Sequence, residues 1–274
     1  VKMMEKQWLY KGIPAALNAG EAILKVYETA FSVYVKDDNS PVTKADFVAS
    51  NIIKDMLKTT GLPFISEEDI PYNYEERKVF PCYWLVDPLD GTKEFVNHNG
   101  EFTVNIALIR HDKPVMGIIY APVSDILWFN YSENEVAKIV NASSLKDKDL
   151  MNLNFSDFKL HDDYSQHPFT VLVSRSHRTD DVDNYINHHI RPYHDDLIID
   201  SCGSSLKFAR LAEHSADCYV CYSKTKEWDT AAAEAILSAS GGKVLDINTK
   251  KALLYNKMSW HNPPFIATAK NVEI

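Results

Sequence analysis

Between residues 5 and about 31 the apolar positions Leu9, Ile13, Leu17, Ile23, Leu24, Tyr27 and Phe31 recur mostly at three- and four-residue spacing. That is the period of one helical face, so the stretch predicts a long amphipathic helix with an irregularity at Pro14. A polar loop follows at 36–41. A second helix should open near Thr43, because Thr43-Lys-Ala-Asp46 has the S/T-x-x-D/E form of a helix start and Val48, Ile52, Met56 and Leu57 supply an apolar face. Gly61 ends it.

Residues 63–66 and 82–86 read as short strands, each running straight into acidic positions. Residues 102–109, 115–120 and 126–129 are apolar and β-rich, and the turn signals at 111–114 and 122–125 make them an antiparallel meander. Residues 141–166 are polar and weakly patterned, which suits a connection. The order then changes to strand 169–173, helix 180–190, strand 197–199, helix 204–212, strand 219–222, helix 227–240 and strand 243–247. Such alternation predicts a three-layer α/β unit. The expected class is therefore α/β, with an α+β N-terminal lobe (1–150) carrying most of the acidic positions and an α/β C-terminal lobe (151–274). No internal repeat or low-complexity tract interrupts this pattern.

The composition, 45% hydrophobic and 24% charged over 274 residues, is that of a globular chain able to bury a core. A formal net charge of −9 excludes a broad basic footprint, so polymeric DNA or RNA is not an expected partner. The apolar runs fall well short of the roughly 18 residues of a membrane span. The first residues show no secretory signal, and four cysteines are too few for a disulfide scaffold and fit a reducing compartment. A cytoplasmic location is expected, with room for peripheral association at the inner face of the membrane.

Acidic islands sit at the ends of predicted elements: Asp46, Glu67-Glu68, Asp87-Pro-Leu-Asp90-Gly-Thr92 and Trp228-Asp229. Each alone has a structural explanation as a capping box, a solvated loop or a helix-dipole partner. The run at 87–92 needs more. Two carboxylates leave the apolar Trp84-Leu-Val86 together, beside a Pro that fixes a turn and a Gly that permits close backbone approach. Crowded carboxylates repel one another, and divalent cations such as Mg²⁺ are the usual resolution. The spacing does not fit an EF-hand, which needs D-x-D-x-D-G and a distal Glu.

Several runs, taken together, resemble the 3′(2′),5′-bisphosphate nucleotidases of CysQ type, within the inositol monophosphatase-like, lithium-sensitive phosphatases. They are Trp84-Leu-Val-Asp-Pro-Leu-Asp-Gly-Thr-Lys-Glu-Phe95, Asn99-Gly-Glu-Phe-Thr-Val-Asn-Ile-Ala-Leu108, Ile65-Ser-Glu-Glu-Asp69, Ser174-Arg-Ser-His177, Gly203-Ser-Ser-Leu-Lys-Phe208 and Trp228-Asp-Thr-Ala-Ala232. The motifs span residues 43–232 in the family's order.

That resemblance implies a layered αβαβα sandwich and two or three Mg²⁺ ions held by Glu67, Asp87, the Leu89 carbonyl, Asp90 and Asp229. Asp46 and Thr92 would orient and deprotonate the attacking water. Phosphate would lie on the backbone amides of Gly91 and Thr92, where a turn enters a helix. Ser174, His177, Ser204 and Lys207 are the implied contacts to ribose and second phosphate, while Arg175 could instead pair with Asp200 or another acid. No organic cofactor is implied; the partner is a small phosphorylated nucleotide, and a homodimer is open.

The activity so implied is hydrolysis of adenosine 3′,5′-bisphosphate to AMP and phosphate, with its sulfated precursor as a further substrate, by in-line attack of metal-activated water. The alternatives are an inositol- or sugar-phosphate phosphatase of the same superfamily and a non-catalytic metal- or nucleotide-binding regulator. The chain departs from the family at Cys221, near where related nucleotidases often carry an Arg, leaving Lys224 and Lys226 as substitute point charges. Tyr222 stands where inositol-specific members carry a Glu. Cys218 and Cys221 form a C-x-x-C, but residues three apart on a strand face opposite ways, which argues against a redox or zinc pair. The stretch 72–78 reads as a mobile polar loop that could gate the metals.

Overall fold

The computed structural model describes residues 3–35, 41–146, 148–160 and 167–273. The polar loop at 36–41 and the connection at 141–166 thus lie partly outside the described residues. In chain order the elements are α1 (Met3–Tyr27), β1 (Val33–Val35), β2 (Pro41–Thr43), α2 (Lys44–Leu57), β3 (Phe64–Ser66), α3 (Tyr74–Arg77), β4 (Cys82–Asp90), α4 (Thr92–Val96), β5 (Thr103–Arg110), β6 (Lys113–Ala121), β7 (Ile126–Ser132) and β8 (Glu135–Val140). The second half adds β9 (Thr170–Ser174), α5 (Asp180–Tyr185), β10 (Ile198–Cys202), α6 (Leu206–Ala212), β11 (Cys218–Cys221), α7 (Glu227–Ala239), β12 (Lys243–Asp246) and β13 (Phe265–Thr268).

Two sheets organise the chain. The first has the order β3-β4-β5-β6-β7-β8, antiparallel except for the parallel pair β3/β4. The second runs β10-β9-β11-β13-β12, with β10, β9 and β11 parallel and β13 antiparallel between its neighbours. Period-two alternation divides the first sheet cleanly. Trp84, Val86, Ile106, Leu108, Ile118 and Tyr120 pack with α1 and α2. Tyr83, Leu85, Ala107, Ile109, Ile119 and Ala121 face α6 and α7 instead. The second sheet closes over α6 and α7 with one face and over α5 with the other. The layers therefore run helix, sheet, helix, sheet, helix, the expected αβαβα sandwich.

α7 approaches the first sheet very closely. A Cβ added at Gly117 of β6 would lie 2.0 Å from the Ala232 carbonyl oxygen, so only glycine lets the helix backbone rest there. The alanines of α7 serve the same approach.

The elements differ from expectation in several places. α1 continues through Pro14, and stops at Tyr27 rather than at residue 31. β4 runs on through Pro88 to Asp90, because the ladder to β5 resumes after a register shift between Asp87 and Asp90. α6 begins at Leu206, not at Ser204. β8, β13 and the β1/β2 hairpin are further strands. Cys218 and Cys221 do face opposite cores, and all four cysteines are free. The stretch 72–78 is corrected outright: it contains α3, capped by Asn73 and Glu76, and its Arg77 is buried.

Candidate active site

Parallel pairing of β3 and β4 puts Ser66 opposite Val86, so the next residues, Glu67 just past the end of β3 and Asp87 within β4, come out side by side. Strand ends are where α/β folds place their sites. The Asp87 Oδ1 accepts from the Leu89 amide at 3.1 Å, turning the chain through Pro88. Asp229 arrives from the opposite side, on the first turn of α7, with Oδ2 accepting the Lys226 amide at 2.8 Å. Ligand atoms of Glu67, Asp87 and Asp229 then lie within 4.8 Å of one another.

Asp90 completes the acidic pocket. Burial raises its pKa, with the Lys207 charge and hydrogen bonds from Ser205 and Asn105 opposing the shift. Asp229 is raised further, by burial first and then by the charges of Glu67 and Asp90. Carboxylate oxygens crowded this closely, with the negative charges of Glu67 and Asp90 disfavouring an ionised Asp229, suit a hard divalent cation, so the donor set fits a metal.

Beside it, the Thr92 hydroxyl lies 3.2 Å from Asp46 Oδ1 and 3.4 Å from the Leu89 carbonyl. The other Asp46 oxygen accepts both the amide and the hydroxyl of Thr43, at 2.7 and 2.8 Å, in the capping box of α2. The capping motif and the acidic island at Asp46 are thus one feature. Gly91 has φ +90°, in the left-handed region, and a Cβ there would press on the Glu101 carbonyl and Ser204.

These groups line a cleft of about 520 Å³. Every sequence-derived site residue borders it except Asp46, which stands behind Thr92. Ser174 ends β9. The His177 Nε2 is 2.9 Å from the Lys93 ammonium; desolvation first and that ammonium second hold the imidazole below its ordinary pKa. Ser204 has φ +44° and a buried hydroxyl with no hydrogen-bond partner among the described residues. Lys207 is buried over the Tyr219 ring and donates to the Cys202 and Ser204 carbonyls. Lys224 and Lys226 also border the cleft, whereas Tyr222 packs towards Tyr185. Arg175 pairs with Glu101 through two nitrogens, at 2.6 and 2.8 Å, so its acid is Glu101 and not Asp200.

Sequence reasoning missed three contributors. Asn105 and Ser205 both contact Asp90 Oδ2, at 3.0 and 2.8 Å. Glu94 accepts from Ser176 at 2.5 Å beside the Lys93–His177 contact. The available signal was polarity out of place: Thr103 and Asn105 interrupt an apolar strand, where a buried amide requires partners.

Comparison with known proteins follows the same geometry. The profile described as the inositol monophosphatase family matches residues 4–272. The 3′(2′),5′-bisphosphate nucleotidase CysQ of Escherichia coli (strain K12) is 40% identical over 254 residues, covering 91% of this chain and 95% of that protein. Its Haemophilus influenzae namesake is 30% identical over 253 residues, 92% of this chain and 88% of its own. The crystal structure of CysQ from Bacteroides thetaiotaomicron superposes with TM-score 0.87 at 38% identity, over 99% of this chain and all of that one. A Thermotoga maritima IMPase at 19% identity and TM-score 0.69, covering 93% and 89%, shares the fold.

Proposed function

This chain belongs to the inositol monophosphatase family, and from that premise we infer that it is a 3′(2′),5′-bisphosphate nucleotidase, a phosphoric monoester hydrolase. Its substrate is adenosine 3′,5′-bisphosphate, which it converts to AMP and inorganic phosphate. The observation that carries this reading is the near full-length similarity to CysQ proteins, joined to an acidic cluster lining a nucleotide-sized cleft.

We take Glu67, Asp87, the Leu89 carbonyl, Asp90 and Asp229 as the residues that hold metal, with Mg²⁺ as the cation. When bound, Mg²⁺ acidifies water and neutralises charge on the phosphate and the departing alkoxide. The chain's own residues do the rest. The Thr92 hydroxyl donates to Asp46, so its lone pairs remain to accept from the attacking water, and Asp46 receives the proton through it. Thr43 holds Asp46 from behind, fixing that direction. The amides of Gly91 and Thr92 receive phosphate oxygens at the turn into α4. Ser174, His177, Ser204 and Lys207 contact the ribose and the second phosphate, and the unpartnered Ser204 hydroxyl supports this role. Lys224 and Lys226 supply positive charge where Cys221 cannot.

No helix of the described residues is long and apolar enough to cross a membrane. A cytoplasmic location, supported by four free cysteines, and a homodimer are part of the same proposal.

The test is phosphate release from adenosine 3′,5′-bisphosphate, with inositol 1-phosphate and fructose 1,6-bisphosphate in parallel, each with Mg²⁺, with EDTA, and with Mg²⁺ plus Li⁺. A Mg²⁺-dependent preference for the nucleotide, lost on chelation and inhibited by Li⁺, is the expected result. Preference for inositol or sugar phosphate would overturn the substrate. Silence on all three would overturn the nucleotidase reading and bring the non-catalytic regulator to the front.

A further inference from the structure

Asp90 is held from both halves of the molecule. Its Oδ2 accepts from the Asn105 amide at 3.0 Å and from the Ser205 hydroxyl at 2.8 Å. The same Asn105 nitrogen donates to Ser205 Oγ at 2.8 Å, so the three polar groups close a ring. Asn105 comes from β5 of the first sheet, and Ser205 from the turn ahead of α6 in the second half. Both are only 1% exposed, so water cannot replace either donor.

The ring has a direction. The Thr103 hydroxyl donates to the Asn105 side-chain oxygen at 3.0 Å. That contact turns the NH₂ towards Asp90; the reversed amide would set an oxygen against a carboxylate. Ser205 also reaches the Asp229 backbone carbonyl, at 3.4 Å, linking Asp90 to the first turn of α7. Among the described residues no hydrogen bond reaches Asp90 Oδ1.

We propose that Asn105 and Ser205 are positioning residues that hold Asp90 Oδ2 and leave Oδ1 as the oxygen offered to the cation, so that assembly of the metal site depends on the two halves being in register. This rests on the reading of Asp90 as a metal ligand. A carboxylate free to rotate would exchange which oxygen it offers and would offer it at a poorer distance. Groups that orient a ligand from behind commonly change metal affinity 10- to 100-fold when removed.

The experiment is calorimetric titration of the full chain with Mn²⁺ after chelator treatment, for the parent, Asp90→Asn, Asn105→Ala, Ser205→Ala and the Asn105/Ser205 double variant. Asp90→Asn should lose the tightest Mn²⁺ binding. Asn105→Ala and Ser205→Ala should each weaken it on the order of 10-fold. The double variant should weaken it by less than the product of the two, since both act on one oxygen. The Mg²⁺ concentration for half-maximal turnover should rise in parallel, more than KM for the nucleotide.

Melting in EDTA separates folding from binding. A lower melting temperature with Mn²⁺ affinity within about two-fold of the parent would overturn the proposal. Unchanged Mn²⁺ binding in Asp90→Asn would instead overturn the ligand reading beneath it. If Asn105→Ala does not fold, Thr103→Val removes only the hydroxyl that sets the amide, and a several-fold loss of Mn²⁺ affinity is again expected.

Discussion

The Thr92 hydroxyl lies 3.2 Å from the Asp46 carboxylate, joining the first residue of α4 to the first turn of α2. Thr92→Val keeps the shape and removes the donor, so kcat should fall by ~10²-fold or more, with little change in melting temperature. Asp46→Asn should fall as far and also lose about 1 kcal/mol, because the Asp46 carboxylate is the N3 partner of Thr43 in the capping box of α2. The double variant should be no slower than the worse single, as expected of groups acting as one unit. Initial rates on adenosine 3′,5′-bisphosphate check this; additive losses would separate the two residues.

Asp229 shows function opposing stability. Its carboxyl is raised by burial and by the charges of Glu67 and Asp90. Asp229→Asn should abolish turnover yet raise the melting temperature of the chelated protein, by about 2–4 °C for each kcal/mol of repulsion relieved. Added Mg²⁺ should stabilise the parent and leave the variant unmoved. Melting with EDTA and with Mg²⁺ checks both halves.

What could be read from the chain depended on range. α2 announced itself through Thr43 and Asp46, three residues apart, and the first sheet through strands joined by tight turns. β13 did not, because Phe265–Thr268 follows a long unpatterned stretch and inserts between β11 and β12, a pairing set by tertiary packing. The carboxylates were legible because their position after apolar strands was wrong for a surface. Asn105 and Ser205 were not: one reads as an imperfect strand residue and the other as a turn, and only the meeting of the two halves makes them neighbours. Glu101 and Arg175 are hidden in the same way.

Arg77 turns a supposed mobile loop into a fixed one. Its guanidinium lies 3.8 Å from the centre of the Trp260 ring and donates to Asn256 Oδ1 and to the carbonyls of Lys257 and Met258. The Asn256 backbone N–H in turn donates to the carboxylate of Glu227, the first residue of α7, two before Asp229. Arg77→Lys cannot reproduce the planar fork, and should cost roughly 3 kcal/mol and raise the Mg²⁺ requirement. Denaturant melts and Mg²⁺ titration of the rate check it; parent-like values in both would free the loop.

Gly117→Ala tests the packing of α7 on β6. The added methyl would meet the Ala232 carbonyl at 2.0 Å, and the Gly117 amide is already held by Asn130 at 2.7 Å. Backbone must move on one side. A loss of about 3 kcal/mol is expected, and a melt within 1 °C of the parent, on the scale of ~2 °C per kcal/mol, would contradict the contact.

Glu234 gives the protein a pH dependence away from the acidic cluster of the cleft. It lies on α7 with its carboxyl 2.6 Å from the Tyr255 hydroxyl, and burial raises its pKa from 4.5 to about 7 against the opposing Tyr255 hydrogen bond and Lys257 charge. The folded state therefore holds this proton more tightly than the unfolded chain does. Stability from this group is full below the unfolded value, declines as pH rises from 4.5 to about 7, and is level above. The whole decline is on the order of 3 kcal/mol. Glu234→Gln carries no titrating proton, so it should gain on the parent as pH rises through that window and keep a constant margin beyond it. Denaturant midpoints for the two proteins across the window, both in EDTA so that the carboxylates of the cleft contribute alike, should diverge with rising pH. Parallel curves would mean that the Glu234 pKa is not raised on folding, the Tyr255 hydrogen bond and the Lys257 charge offsetting burial.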